Sequence, residues 1–262
     1  MTYIDCKKYA QEILDAVKAI PDKKKLVILS VGDDPASKSY VKGKIKDCEY
    51  CGIPYEYHNV PECGLPWIIQ SANDDPDVGG IIVQLPLPNG VDSKRYTDMV
   101  IINKDVDGFR DNSPFKPCTP EGIMYLLRKE LGDLTGKEAL VIGRGKLVGE
   151  PITKMLLDAN CTVTVAHSKT NYLYEHLHNA DIVISAVGKP NTVNLGACWN
   201  ADVVVDVGVN RDANGKLVGD CYNFDEDDEL VYPMVTPVPG GIGLMTRTML
   251  MAHVARLDVN AL

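Results

Sequence analysis

The sequence contains no apolar run close to the roughly 20 residues that a helix needs to cross a bilayer. No secretory signal is visible either, since the apolar residues among the first 20 positions recur at helical spacing with charged residues between them. The chain also lacks an excess of positive charge, because 36 acidic and 27 basic residues give a net charge of −9. Nucleic acid and membranes are therefore unfavourable partners, and we expect a cytoplasmic protein or the mature form of an organelle protein.

Cysteines number eight among 262 residues, but they lack the setting of a disulfide framework or a zinc site. Cys48 and Cys51 form a C-x-x-C pair, with Cys63 further along and only His58 nearby as a fourth ligand. A redox pair would stand at the start of a helix, whereas this pair falls near the end of a predicted one. We therefore expect free thiols that pack in the core or lie at the surface, and no bound metal.

Buried strands and helices alternate along the chain, which predicts an α/β protein. The predicted strands cover residues 26–31, 80–85, 139–143, 162–167, 181–187 and 202–208. Predicted helices cover residues 37–50 and 245–257, and others begin near Gly149 and near Thr119, the latter with Thr as N-cap and Pro120 at the first position. The regular alternation in the second half is typical of a doubly wound parallel sheet. The acidic run at residues 225–229 is expected to be a solvated loop or helix start.

A glycine loop joins a predicted strand to a predicted helix at residues 143–149, which read GRGKLVG. In this context glycines let the backbone approach a pyrophosphate at the N-terminus of a helix. The spacing G-x-G-x-x-x-G is one residue longer than the standard fingerprint. A tight turn without a ligand therefore stays an equally good interpretation of this motif alone.

The end of the next strand bears on which dinucleotide would bind. An NAD site usually has an acidic residue there, whereas this strand ends with His167, Ser168 and Lys169. Arg144 in the glycine loop could pair with a 2′-phosphate. These residues favour NADP over NAD, although His167 could equally be a strand-end residue without a ligand.

Four polar residues of the first half are candidates for a second site. Tyr40 and Lys44 are four residues apart and share a helix face. Gln84 ends a buried strand, where ligands bind in open α/β sheets, and Asp107 lies in a loop that ends in glycine. Taken singly, Lys44 is more typical of a surface ion pair and Asp107 of a turn cap.

Together with further segments, these residues resemble the bifunctional methylenetetrahydrofolate dehydrogenase/methenyltetrahydrofolate cyclohydrolase family. The similar segments, in family order, are residues 39–44 (SYVKGK), 83–88 (VQLPLP), 104–109 (KDVDGF), 117–122 (PCTPEG), 143–151 (GRGKLVGEP), 167–170 (HSKT) and 236–243 (TPVPGGIG). They extend over nearly the whole chain. Several are weak singly, but the set is specific.

The resemblance implies two α/β domains with a cleft between them, the second of Rossmann type. The folate-binding catalytic domain would comprise residues 1–116 and a C-terminal helix at about residues 244–262. The dinucleotide-binding domain would comprise residues 117–243. Family members commonly form homodimers through the second domain, so we expect a homodimer.

The resemblance also implies the reaction and the residues that perform it. NADP-dependent oxidation of 5,10-methylenetetrahydrofolate would give the methenyl cation, and hydrolysis would give 10-formyltetrahydrofolate. Lys44 would activate water or polarise the intermediate, Gln84 would hydrogen-bond Lys44, Tyr40 would stack on the substrate ring, and Asp107 would bind the pterin. The implied folate-binding residues are Tyr40, Val83, Gln84, Leu85, Asp107, Pro239, Gly240, Gly241, Ile242 and Gly243. The implied cofactor-binding residues are Gly143, Arg144, Gly145, Val148, Gly149, His167, Ser168 and Val209.

Two positions depart from the family pattern. Gly145 replaces a usual Ser and removes a hydroxyl donor to the cofactor phosphates, and Leu244 replaces a usual Pro beside the folate. Three alternatives therefore stay open. The chain could retain only one of the two activities, be a Rossmann dehydrogenase of another small substrate, or bind folate or nucleotide without catalysis. The intact Lys44 counts against the last.

Overall fold

The computed structural model describes residues 2–223 and 233–262, and the chain divides into two compact units. Unit 1 comprises Met1–Ala10 and Thr119–Thr246, and unit 2 comprises Gln11–Cys118 and Arg247–Leu262. The sequence-based division differs at the N-terminus, where it placed residues 1–10 with the folate-binding domain. The first strand accounts for the difference, because it pairs with a strand of unit 1. The acidic run at residues 225–229 lies outside the described residues.

Both units alternate strands with helices. The helices are α1 (Cys6–Ala19), α2 (Pro35–Cys51), α3 (Leu65–Asp74), α4 (Ser93–Thr97), α5 (Cys118–Leu131), α6 (Gly149–Asp158), α7 (Leu173–His178) and α8 (Ile242–Val254). The strands are β1 (Thr2–Tyr3), β2 (Lys25–Ser30), β3 (Tyr55–Asn59), β4 (Val78–Val83), β5 (Glu138–Ile142), β6 (Thr162–Ala166), β7 (Ile182–Ser185), β8 (Val193–Asn194), β9 (Val203–Asp206), β10 (Asn210–Arg211), β11 (Leu217–Val218), β12 (Cys221–Tyr222) and β13 (Met234–Val235). The prediction of an α/β fold is confirmed.

Unit 2 contains a parallel sheet in the order β3-β2-β4. Every residue of β4 is buried, and so is every residue of β2 after the first, as expected of parallel strands covered on both faces. Gly80 in β4 is needed for close packing, because an added Cβ would lie 2.7 Å from Cγ2 of Val106. The loop that contains Asp107 therefore lies directly against β4.

Helix α2 follows the central strand and has well-defined ends. Asp34 is its N-cap and accepts a hydrogen bond from the backbone N–H of Ser37 at 2.7 Å, with Pro35 at the first position. Gly52 ends the helix in the left-handed conformation, with φ of 66°. The helix begins two residues before the predicted start, because Asp34 rather than a later residue caps it.

Unit 1 contains a sheet of parallel strands in the order β1-β13-β9-β7-β5-β6. The chain runs from β5 outward to β6 and then returns to place β7 on the other side of β5. Ligands bind at such a reversal in doubly wound sheets, beyond the carboxyl ends of the strands. The predicted doubly wound parallel sheet is thus confirmed, and its reversal lies between β5 and β7.

Several predicted boundaries were wrong by a few residues. Strands β7 and β9 end earlier than predicted, because the backbone N–H groups of Val187 and Gly208 bond carboxylates instead of a neighbouring strand. Helix α5 already includes Thr119, so Thr119 is not its N-cap. Helix α8 begins and ends three residues before the predicted 245–257. Strand β3 was not predicted, because its residues are largely exposed and lack an apolar run.

The prediction of free thiols is confirmed, because all eight cysteines are free and only Cys63 is exposed. Cys48 packs with its sulfur 3.6 Å from that of Met251, and the thiol of Cys51 donates to the carbonyl of Leu14 at 3.7 Å. Burial raises the pKa of the Cys48 thiol to about 12 and that of Cys51 to about 11. Both thiols are therefore protonated packing groups. Within the described residues, no helix is long and apolar enough to cross a membrane.

Candidate active site

One face of α2 presents Ser37, Tyr40 and Lys44, which are spaced by three and four residues. Val41 and Cys48 of the same helix pack into the core of unit 2. Lys44 is only 6% exposed, although a lysine normally keeps its ammonium group in water. That ammonium group forms no hydrogen bond or ion pair with any residue of the described chain. The burial of Lys44 is thus unlike that of a surface ion-pair lysine.

The loop that contains Asp107 is held by its neighbours in the sequence. The ammonium group of Lys104 donates to three backbone carbonyls at the end of α3, at 2.6 to 2.9 Å. The carboxylate of Asp105 accepts from the backbone N–H groups of Phe109 and Arg110 at 3.3 and 2.9 Å. Gly108, with φ of 71°, has no room for a side chain because the backbone of Lys116 lies against it. Lys104 and Asp105 therefore fix the loop, and Asp107 is left for another role.

The carboxylate of Asp107 is partly buried and accepts no hydrogen bond from the described residues. Burial raises its pKa above the ordinary value, Asp105 adds to the rise, and the positive charge of Lys44 opposes it. A positive charge lowers the pKa of a carboxyl group because it favours the ionised form. A carboxylate in this setting is a hydrogen-bond acceptor without a protein donor.

Gln84 directly follows β4, and its backbone N–H donates to the carbonyl of Leu29 at 2.8 Å. Its side-chain amide donates to the carbonyl of Leu85 at 2.6 Å. Its side-chain oxygen is buried without a hydrogen-bond partner in the described chain, so it does not accept from Lys44 here. The side chain of Val83 is 2% exposed and packs in the core, so only the backbone of Val83 could contact a ligand.

Two further groups next to these residues were not found from the sequence. The hydroxyl of Ser37 is buried without a hydrogen-bond partner in the described residues. The guanidinium group of Arg247 on α8 lies across Gly43, where an added Cβ would collide with it, and reaches Asp47 at 3.1 Å. Burial raises the pKa of the Tyr40 hydroxyl, and the positive charge of Arg247 opposes this rise. The one signal in the sequence was Gly43, an unfavourable residue in a helix interior.

The glycine loop of unit 1 follows β5, and two of its three glycines are required by close contacts. An added Cβ at Gly143, where φ is 111°, would lie 2.5 Å from the carbonyl oxygen of Ala186. An added Cβ at Gly149 would collide with the carbonyl oxygen of Gly143. Gly145 differs, since an added Cβ there meets nothing within 4 Å. The side of the loop at Gly145 is thus open.

The other residues predicted to bind the cofactor lie in this loop, at its end or after strands β6 and β9. Arg144 is exposed and forms no hydrogen bond within the described chain. The ring Nδ1 of His167 accepts from the backbone N–H of Lys169 at 3.2 Å, so in the neutral ring Nε2 carries the proton. Ser168 is exposed, Val209 is 51% exposed, and Val148 immediately precedes α6. Exposed donors at the carboxyl edge of a parallel sheet suit an anionic ligand.

The predicted folate contacts at residues 239–243 belong to unit 1, whereas Tyr40, Lys44, Gln84 and Asp107 belong to unit 2. The peptide bonds before Pro86 and Pro239 are cis. Gly240 has φ of 97°, and Gly241 lies against the carbonyl of Pro237 without room for a side chain. Ile242 begins α8 and is buried, so its side chain packs in the protein.

Comparison with known proteins identifies the family. The family model "Tetrahydrofolate dehydrogenase/cyclohydrolase, catalytic domain" matches residues 4–107. The model "Tetrahydrofolate dehydrogenase/cyclohydrolase, NAD(P)-binding domain" matches residues 117–261. The chain belongs to the tetrahydrofolate dehydrogenase/cyclohydrolase family.

Relatives in this family match over nearly their whole length. The chain is 42% identical to the bifunctional protein FolD of Bacillus subtilis, over 96% of this chain and 95% of that protein. The bifunctional FolD structure from Campylobacter jejuni is 37% identical, with a TM-score of 0.87 and full coverage of both chains. The Trypanosoma brucei enzyme, solved with NADP and an inhibitor, is 28% identical, with a TM-score of 0.86 over 97% of this chain and 95% of that chain. The resemblance inferred from the motifs is thus confirmed.

Replacing the carboxyl group of Asp107 by an amide should separate folding from binding. Because its pKa is raised in the folded protein, the ionised carboxylate destabilises the fold at neutral pH, and this penalty disappears as the pH falls. Asp107→Asn should therefore raise the melting temperature at about pH 8 more than at about pH 5. It should weaken folate binding roughly 10- to 100-fold, since hydrogen bonds to a charged acceptor are lost.

Thermal unfolding at both pH values, together with titration of a reduced folate, would check this prediction. Asp111→Asn is a matched control, because Asp111 is exposed in the same loop region. A melting-temperature gain that is independent of pH would contradict the assigned cause.

Proposed function

We propose that the chain oxidises 5,10-methylenetetrahydrofolate with NADP and hydrolyses the methenyl product to 10-formyltetrahydrofolate. Family membership supports both activities. The observation that carries the proposal is the buried Lys44, which has no internal partner in the described chain and is coupled electrostatically to Asp107. Lysine side chains are rarely buried to this extent without a partner, and such a residue is a candidate for a functional site.

In the hydrolytic step, water adds to the methenyl carbon of the cation, and a C–N bond of the ring opens. One proton of the water moves to the released nitrogen, and the other is released to the solvent. We propose that the side-chain nitrogen of Lys44 holds the water and transfers the proton that reaches the released nitrogen. The unpartnered oxygen of Gln84 would accept a hydrogen bond from Lys44 or from the water once a ligand is bound. The ring of Tyr40 would stack on the substrate.

Folate recognition would depend on Asp107. Its carboxylate oxygens have no donor within the described chain, and the pterin offers an amino group and a ring N–H side by side. Two parallel hydrogen bonds to one carboxylate fix both position and orientation. The backbone around Val83 and Leu85, and the segment at residues 239–243, would border the remainder of the folate.

The residues of unit 1 fit a dinucleotide phosphate. The open space at Gly145 and the N-terminus of α6 admit a pyrophosphate, and Arg144 with His167 Nε2 supplies unpartnered donors. When bound, NADP accepts the hydride from the methylene carbon of the substrate. The backbone at Gly143, Val148, Gly149 and Val209, with the hydroxyl of Ser168, would position the cofactor.

Loss of the Lys44 side-chain amine should remove the hydrolytic activity. Lys44→Met keeps the apolar length of the side chain and removes the group that moves the proton, so methenyltetrahydrofolate hydrolysis should fall by about 10²- to 10⁴-fold. Folate binding should persist. Decay of the methenyl absorbance measures the effect, and Lys42→Met on the exposed side of the same helix is the control. Unchanged hydrolysis would remove the assigned role.

Loss of Arg144 should affect NADP more than NAD. Arg144→Ala removes the guanidinium group proposed to pair with the 2′-phosphate, so the KM for NADP should rise roughly 10- to 100-fold while that for NAD changes little. Dehydrogenase rates with each cofactor check this. Lys154→Ala, which removes an exposed charge from α6, is the control. Equal losses with both cofactors would refute the assignment.

We further propose a homodimer that forms along β6. This strand is one of the two edge strands of the unit 1 sheet, and its residue Val165 is 37% exposed. An exposed, partly apolar edge strand favours pairing with another copy. Val165→Lys should convert a dimer into a monomer in light scattering at micromolar concentration, whereas Trp67→Lys on α3 should not. A wild-type monomer would contradict the proposal.

We also propose a cytoplasmic location, which the eight free thiols support, because such thiols persist in a reducing compartment.

A further inference from the structure

Asp220 belongs to unit 1 and is completely buried. Its two carboxylate oxygens accept hydrogen bonds from five donors at 2.8 to 3.2 Å. The donors are the hydroxyl of Ser185, the backbone N–H groups of Val187, Gly188 and Lys189, and the side-chain amide of Asn210. Nothing in the proposed chemistry uses Asp220 directly, so its role lies in what it holds.

Three consecutive backbone N–H groups, from residues 187–189, converge on this one side chain. The chain turns sharply there, with φ of 63° at Gly188. Convergent N–H groups form a positively polarised concavity that prefers a full negative charge. An Asn at position 220 would replace one acceptor oxygen with an N–H₂ group that faces other donors. The arrangement therefore requires a carboxylate.

The loop held by Asp220 lies against the glycine loop. A Cβ added at Gly143 would lie 2.5 Å from the carbonyl oxygen of Ala186 and 3.4 Å from a side-chain carbon of Val187. The conformation of residues 186–189 therefore decides where the start of the glycine loop can lie. The order of the sheet reverses between β5 and β7. The glycine loop follows β5 and residues 186–189 follow β7, so both loops lie at this reversal.

Asp220 also fixes the loop after β9. It accepts from the side chain of Asn210, and its carboxylate occupies the space where Gly208 would carry a side chain. Val209, the proposed backbone contact to the cofactor, lies between these two residues. One carboxylate thus joins the two loops on either side of the proposed dinucleotide position.

A second buried carboxylate places Asp220 itself. Asp206 at the end of β9 accepts from the backbone N–H groups of Gly208, Asp220 and Cys221, each at 2.9 Å. Burial raises the pKa of Asp206, and these backbone hydrogen bonds oppose the rise. Gly219 is required because the Asp206 carboxylate fills the space of a side chain there. The loops after β7 and β9 are thus both fixed by carboxylates.

We propose that Asp220 is a positioning residue for dinucleotide binding, which sets the loops at residues 186–189 and 208–210 without contacting the cofactor. This inference rests on the proposed dehydrogenase function. It predicts that loss of the carboxylate impairs NADP binding but does not affect the hydrolysis of methenyltetrahydrofolate. The residues proposed for that hydrolysis, Lys44, Gln84 and Asp107, belong to unit 2.

The test compares Asp220→Asn with the unsubstituted protein by NADP titration calorimetry and by methenyltetrahydrofolate hydrolysis without NADP. We expect NADP to bind about tenfold more weakly or worse, since several hydrogen bonds to a charged group are lost, while hydrolysis stays within about twofold. The matched control is Asp181→Asn. Asp181 also accepts a backbone N–H, from Glu138 at 2.8 Å, but at the amino-terminal edge of the sheet, so NADP affinity should not change.

Unchanged NADP affinity in Asp220→Asn, or parallel loss of binding and hydrolysis, would overturn the proposal. If Asp220→Asn does not fold, Ser185→Ala decides, because it removes one of the five donors. Weaker NADP binding with normal hydrolysis would support the proposal, and unchanged binding would overturn it. Failure of the unsubstituted protein to bind NADP would instead refute the dehydrogenase function itself, and the inference with it.

Discussion

Parallel strand pairing is the constraint from which both candidate sites follow. In the main sheet of each unit the strands point the same way, so the segments that leave their carboxyl ends meet at one edge of the sheet. Gln84 after β4 and the glycine loop after β5 are at such edges. Parallel sheets are covered on both faces, so the strands themselves are apolar and the polar residues are confined to these ends. The residues proposed for binding and catalysis therefore lie at these ends, because the buried parallel strands have few other positions for polar side chains.

Buried polar groups fall into two kinds in this protein. Asp206 and Asp220 are fully satisfied by backbone and side-chain donors, as expected of groups that hold a fold together. The hydroxyl of Ser37, on the same helix as Lys44, and the side-chain oxygen of Gln84 are buried without partners in the described chain. Leaving such groups unsatisfied costs stability, so the cost is offset only when a ligand supplies the missing bonds. Whether a buried polar group has hydrogen-bond partners thus distinguishes residues that stabilise the fold from residues that bind a ligand, whatever the residue type.

The sequence alone was sufficient for the fold class, the motifs and the glycine loop, because repeated apolar strands and required glycines leave local signals. Ser37, Arg247 and Asp220 could not be found in this way. Arg247 is about 200 positions from Asp47, and Asp220 binds donors 10 to 35 positions away, so only the folded chain brings the partners together. The end of β7 was mispredicted for the same reason, since the N–H of Val187 bonds the distant carboxylate of Asp220. The end of β9 differs, because the N–H of Gly208 bonds the nearby carboxylate of Asp206.

Neither unit is a single continuous stretch of chain, and two of the divisions fall inside α1 and α8. Residues 247–262 complete unit 2, where Met251 packs on Cys48 and the ring of His253 bonds the carbonyl of Val106 at 2.7 Å. During translation, the segment at residues 11–118 therefore leaves the ribosome long before the helix that completes its core. A chain interrupted after residue 246 would present an uncovered apolar surface to chaperones and proteases, whatever the state of unit 1.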